Sequence, residues 1–164
     1  MSNQTRGDQG MKDTIICDLD GTLANCEHRV HHVRSKPKNW DAFYAGVRED
    51  TVNHAVHEVL INMCGWRMHQ EYRQINAIFC TGRPERCRSD TEAWLMDNTE
   101  APSDFILLMR KDGDFRADHI IKQEILDTHI DKERVLFVLD DRQQVVDMWR
   151  RNGLTCFQVA EGNF

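Results

Sequence analysis

Apolar residues in this chain follow two patterns. Short apolar runs occur at Thr14-Ile15-Ile16-Cys17, Ile75-Asn76-Ala77-Ile78-Phe79-Cys80, Phe105-Ile106-Leu107-Leu108, Val135-Leu136-Phe137-Val138-Leu139 and Leu154 to Val159. Their length and bounding turn residues predict five buried strands. Between them, apolar positions recur at helical spacing. Val52, Ala55, Val56, Val59, Leu60 and Met63 predict a helix over Thr51 to His69 with Thr51 as its cap. Further helices are expected over Glu85 to Asn98, with Trp94 and Leu95 inward, and over Arg116 to Ile130, with Ile120, Ile121, Ile125 and Leu126 buried. A last one runs from Gln144 to Arg151, where Asn152-Gly153 stops it. Ala24 to Asp50 has no clean period and is expected to be an insertion over the strand ends, partly helical around Trp40 to Val47.

Strands alternating with helices of this length predict an α/β fold: a Rossmann-like three-layer α/β/α sandwich with a five-stranded, mostly parallel sheet and a small helical cap insertion. With 164 residues, one domain is expected over 13–164, the cap occupying about 25–50 and a polar, disordered tail preceding it at 1–12. A net charge of −6 argues against a broad nonspecific grip on nucleic acid but leaves room for a basic mouth around an acidic centre. No apolar stretch has membrane-spanning length and no secretory leader is visible, so a soluble, cytoplasmic protein without a membrane partner is expected. The six cysteines are scattered, and Cys17 and Cys80 sit in the most apolar runs. They read as reduced core thiols of a reducing compartment.

The chemistry concentrates where the predicted strands end. Asp18-Leu19-Asp20-Gly21-Thr22-Leu23 follows the first strand directly. Two acids there would repel each other and lose solvation, which suits a site where a cation and a reaction use them. Asp18 is the candidate nucleophile. Asp20 projects to the same side and is the candidate general acid and base, a role that calls for a raised proton affinity. The plainer alternative is a surface turn, which accounts for the glycine but not for the apolar strand. Thr81-Gly82-Arg83 after the second strand offers a hydroxyl and backbone N–H groups as a phosphate cradle, or simply a turn. Lys122 is a candidate phosphate-binding cation; Asp118, one helical turn earlier, is placed to orient it, to pair with Arg116 or to cap the helix. Asp140-Asp141 ends the fourth strand, one acid expected on a cation and the other on a basic neighbour such as Lys122 or Arg142, with capping of the next helix as a compatible use. A divalent cation, magnesium by its preference for oxygen ligands, would neutralise this cluster. Glu27-His28-Arg29-Val30-His31-His32 lacks partners at zinc spacing and reads as a basic substrate-facing or solvated loop. Trp40, Phe43 and Tyr44 are available for base stacking or for cap packing.

In order and spacing these four motifs resemble those of the haloacid dehalogenase (HAD) superfamily, mostly phosphatases, over nearly the whole chain from Thr14 onward. A closer likeness lies in Asp140-Asp141-Arg142-Gln143-Gln144-Val145-Val146-Asp147-Met148-Trp149-Arg150-Arg151, then Gly153 and Cys156 to Ala160. With Gly113-Asp114, Arg116, Asp118 through Lys122, and Ala24 followed by Arg29, this is similar to the 3′-phosphatase domain of T-even phage polynucleotide kinase-phosphatase. The resemblance implies the HAD fold, Asp18 as nucleophile and Asp20 as acid/base. It also implies magnesium held by Asp18, the backbone carbonyl of Asp20, and Asp140 or Asp141. Thr81, Gly82 and Lys122 would bind phosphate, while Arg29, Arg83 and Asp118 would contact the substrate phosphate or order the site. The implied activity removes 3′-phosphate from DNA or RNA ends or from nucleotides through an aspartyl-phosphate. A phage-like origin would put the protein in a host cytoplasm. No G-x-x-x-x-G-K loop is present, so a 5′-kinase activity does not carry over. The alternatives are a small-molecule phosphatase, such as one for (deoxy)nucleoside 5′-monophosphates, and a phosphate-binding module without catalysis.

Overall fold

The structure is a computed structural model in which residues 10–67 and 75–162 are described. Its central sheet has five parallel strands: β1 (Thr14–Cys17), β4 (Asn76–Pro84), β5 (Ile106–Arg110), β6 (Val135–Asp140) and β7 (Cys156–Gln158). They lie in the order β5-β4-β1-β6-β7, so β1 pairs with β4 on one side and β6 on the other. Successive side chains of a strand point to opposite faces, and β1 divides accordingly. Ile15 and Cys17 join a core with Val56, Leu60, Trp94 and Leu95 from helices α3 (His54–Cys64) and α4 (Arg88–Asn98). Ile16 joins a second core with Ile121, Ile125, Val145 and Trp149 from α5 (Asp118–His129) and α6 (Gln143–Arg151). The expected parallel α/β sandwich is thus the architecture of the chain. Its strand order reverses beside β1, which is where ligands bind in open α/β sheets.

Several element boundaries differ from expectation. The aperiodic segment contains α1 (Glu27–Arg34) and α2 (Trp40–Ala45), followed by a 3₁₀ turn at Val47–Glu49. Helix α1 escapes a hydrophobic pattern because one of its three buried residues is Arg29, beside Val30 and Val33. The Glu27-to-His32 cluster is therefore a helix turn with a buried arginine, not a solvated loop. Thr51 does not cap α3. It belongs with Val52 to β3 (Thr51–Val52), which pairs antiparallel with β2 (Ala24–Asn25). Asn53 takes the cap position instead, its N–H donating to Leu23 O at 2.7 Å and its side-chain amide to Thr22 O at 3.0 Å.

Gly65, at φ 61°, ends α3 in the left-handed conformation open to glycine, short of the expected His69. Residues 68–69 lie outside the described residues, as does 1–9 of the expected tail. Strand β4 does not stop at Cys80; it continues through Thr81-Gly82-Arg83 with a register irregularity before Pro84 pairs with Arg110. A 3₁₀ turn, Glu85–Cys87, then precedes α4. The cysteines are buried, Cys17 and Cys80 fully so. Among the described residues no helix is long and apolar enough to cross a membrane.

Candidate active site

The turn after β1 is locked by its own backbone. Thr22 and Ala24 N–H groups donate to Leu19 O at 3.0 and 2.8 Å, and Gly21 bends the chain at φ 85°, where a side chain would be strained. Leu19 is fully buried and acts as the wedge. The acids on either side of it enter two separate networks.

In the first, Lys122 Nζ donates to Asp18 Oδ1 at 2.7 Å and to Asp140 Oδ2 at 2.9 Å, with Asp118 Oδ2 at 3.6 Å. Lysine and both nearer acids are buried. Oxygens of Asp18, Asp140 and Asp141 lie within 4.8 Å of one another, so all three acids belong to one cluster. Burial pushes the Asp18 carboxyl well above its ordinary pKa; Lys122 opposes this, and Asp140 and Asp141 add to it. Burial and Asp140 likewise raise Asp141 to about 6. Burial would neutralise Lys122, but Asp140, Asp18 and Asp118 overcome it and raise its pKa. Asp140 serves two further groups. It accepts from the Trp149 indole at 3.1 Å and from Arg142 N at 3.2 Å, but the cap position of α6 is Arg142 and no side chain caps it, so the expected capping by these acids does not occur.

The second network faces the α1–α2 segment. Asp20 Oδ1 accepts from Arg29 Nη2 at 2.5 Å and from Arg83 Nε and Nη2 at 2.9 and 2.5 Å. Asp50 closes it: Oδ1 accepts from Arg29 Nε at 2.6 Å, and Oδ2 from Arg29 Nη2 and Arg83 Nη2 at 2.6 and 2.8 Å. Arg29 also donates to Phe43 O, and the Trp94 indole to Asp50 O at 2.7 Å. The expected rise in Asp20 proton affinity does not occur here. Burial alone would produce it, but the guanidinium groups of Arg83 and Arg29 prevail and hold Asp20 at about 2. The Asp20 carboxylate is also absent from the three-acid cluster, which leaves only its main-chain carbonyl for an ion there. Arg29 and Arg83, 2% and 0% exposed, point at Asp20 and Asp50 and do not line the adjoining cavity.

That cavity, about 50 Å³, is lined by Asp18, Asp20, Thr81, Gly82 and Asp118, with aromatic walls from Trp40, Phe43 and Tyr44. Thr81 is buried and its hydroxyl accepts from Arg83 N at 3.2 Å. Gly82 lets the Asp118 carboxylate approach closely, since a Cβ there would force that carboxylate to move. Two residues missed in the sequence complete the constellation. Arg110, at the end of β5, donates from Nε to Gly82 O at 2.8 Å and from Nη2 to Asp118 Oδ1 at 3.2 Å. Its signal was available, since a charge closing an apolar strand at the carboxyl edge repeats the pattern of Asp18. Asp50 carried no such signal, being one acid in a polar stretch. Among the described residues, His28 lies 2.9 Å from Asp50, and the α1 histidines join no cluster able to hold a metal.

Residues 12–164 match the family described as the polynucleotide kinase PNKP phosphatase domain. Two chains from structures of Pnkp1/Rnl/Hen1 complexes, one described as an RNA repair complex, are 35% and 34% identical, with TM-scores of 0.74 and 0.72. Each match covers 99% of this chain but 46% and 50% of the other, so the chain spans about half their length. CbbY from Rhodobacter sphaeroides, solved with phosphate, shares the fold at 16% identity and TM-score 0.57, over 94% of this chain and 88% of that one. This chain belongs to the PNKP phosphatase-domain family and is a HAD-type phosphatase.

Proposed function

We propose that the protein is a magnesium-dependent phosphomonoesterase that removes the 3′-phosphate from nucleic-acid ends, or from nucleotides, through an aspartyl-phosphate on Asp18. The observation that carries this reading is that Asp18, which lines the cavity together with Thr81 and Gly82, is bridged by Lys122 to Asp140. The matched chains from an RNA repair complex favour a polynucleotide end over a free metabolite.

Asp18 attacks phosphorus, and its new O–P bond forms as the bond to the sugar oxygen breaks. Lys122, the Thr81 hydroxyl and the backbone N–H groups around Gly82 hold the phosphoryl oxygens, with Arg110 and Asp118 fixing that turn. As held by Arg29 and Arg83, Asp20 is a carboxylate. To protonate the leaving oxygen it must first give up arginine contacts and take up a proton from solvent; the carboxylate left after that transfer can then take a proton from the attacking water. The donor set suits magnesium: Asp18, Asp140 and Asp141 are hard oxygen ligands already crowded together, and the Asp20 carbonyl is adjacent in the chain. The ion would supply positive charge that keeps Asp18 ionised as an anionic phosphate approaches.

The test compares a 3′-phosphorylated oligonucleotide with a nucleoside 5′-monophosphate at equal phosphate concentration and saturating magnesium. The 3′-end should turn over faster. Preference for the mononucleotide overturns this reading in favour of a small-molecule phosphatase, and no turnover of either leaves a phosphate-binding module.

A further inference from the structure

A second cavity, about 250 Å³, adjoins the reaction cavity and shares Trp40, Tyr44, Arg110 and Asp118 with it. Its volume is near the lower end of small-ligand sites, roughly 300 Å³. We propose that a single-stranded nucleic acid leaves the active site along this groove, and that Phe115 stacks on the base next to the 3′-terminal nucleotide. The proposal rests on the 3′-end reading above.

Phe115 carries most of the argument. The residue is 89% exposed, an unfavourable state for a large apolar group, yet the loop that carries it is not slack. Arg110 Nη1 donates to both Asp114 O and Arg116 O, at 3.0 and 2.7 Å, on either side of the phenylalanine. Asp114 N donates to Lys111 O at 3.2 Å, and Gly113 supplies the positive φ of 76° that the turn needs. The ring is therefore held at the mouth of the groove by the same arginine that braces Gly82 and Asp118. A nucleobase covering it would remove apolar surface from water without first ordering the loop.

The other wall matches. Trp40 and Tyr44 stack with ring centroids 5.8 Å apart, Lys38 Nζ lies 5.1 Å over Trp40, and Arg86 Cζ lies 5.7 Å over Tyr44. Aromatic faces flanked by cations accept successive bases and phosphates of an unpaired strand, whose faces a duplex would hide. The opening on the other side of the active site is unsuited to a phosphodiester chain. It is lined by Glu27, Asp141 and Glu161, with only Arg34 and His54 as basic groups.

Phe115→Ala tests the assignment in two arms. In the first, 5′-labelled oligothymidylate and oligouridylate with 3′-hydroxyl ends are titrated by fluorescence anisotropy, which requires no turnover. The substitution should weaken binding of at least one by roughly tenfold, and Phe115→Trp should restore it. In the second, KM for a 3′-phosphorylated oligonucleotide should rise by a similar factor at unchanged kcat, with nucleoside 3′-monophosphate kinetics unaffected. Unchanged binding of both oligonucleotides, or equal loss on oligonucleotide and mononucleotide, overturns the groove. Absence of 3′-phosphatase activity in the unmodified protein would instead reject the functional reading, leaving the binding arm to decide the groove alone.

Discussion

The two sides of Leu19 solve the same electrostatic problem differently. On one side Lys122 bridges Asp18 and Asp140 and Arg142 acts on Asp141, yet burial leaves Asp18 and Asp141 with raised proton affinities. On the other, two carboxylates face two guanidinium groups in a closed ring, and Asp20 is held far to the acid side. The first network is short of positive charge and suits a visiting cation. The second is balanced and suits a fixed frame. An active site of this kind needs both: a place where charge is under tension, and a neighbour rigid enough to keep the tension in place.

Asp18→Asn should break the comparison most visibly. Phosphate release should fall by at least about 10³-fold, as for loss of a nucleophile. The fold should survive, and in chelator its urea midpoint should be unchanged or higher because one repelling charge is gone. Magnesium should raise the melting temperature of the parent protein and do so less for the variant. Substantial residual turnover would remove Asp18 from its assigned role.

Asp50→Ala attacks the balanced side. It leaves the two buried guanidinium groups of Arg29 and Arg83 to share the Asp20 carboxylate, an uncompensated buried charge of the kind that costs about 3–5 kcal/mol. Urea unfolding measures it; a loss comparable to that of a surface mutation would show that the ring is not the frame we describe.

Acidity gives the smallest and most diagnostic contrast. The folded-state pKa of Asp20 is depressed, so its contribution to stability is present above pH about 4 and lost as pH falls toward 2, a matter of about 2 kcal/mol. Asp141 is shifted the other way, so its contribution is present below pH about 4 and lost as pH rises through 6. In chelator, Asp20→Asn should therefore flatten the stability profile between pH 2 and 4, and Asp141→Asn between pH 4 and 6. Similar profiles for the two variants would erase the distinction between the networks.

These contrasts also mark what could be read from the residues alone. The sheet was legible because each strand is built on a local apolar run, and Asp18, Thr81 and Asp140 could be located because each directly follows such a run. The geometry puts them around one buried centre with Lys122. The balanced ring was not legible. Arg29 and Asp50 are polar residues in an aperiodic stretch, and only the fold shows that they are core. The direction of the Asp20 shift was misjudged for the same reason: proximity to other acids can be read along the chain, whereas the two arginines arrive from α1 and β4, 9 and 63 positions away. Arg110 lay within reach of the strand-end argument, since it closes β5 as Asp140 closes β6.

The two-stranded ribbon of β2 and β3 has a consequence for how such a protein diversifies. Ala24 sits opposite Val52 and Asn25 opposite Thr51, so the 26–50 segment departs and returns through one narrow doorway. A different lobe could be spliced in at that doorway with the sheet beneath undisturbed, provided that it brings its own equivalents of Arg29 and Asp50 to grip Asp20 and Arg83. Chimeras joined at Asn25 and Thr51 would thus inherit their chemistry from the base and their choice of substrate from the graft.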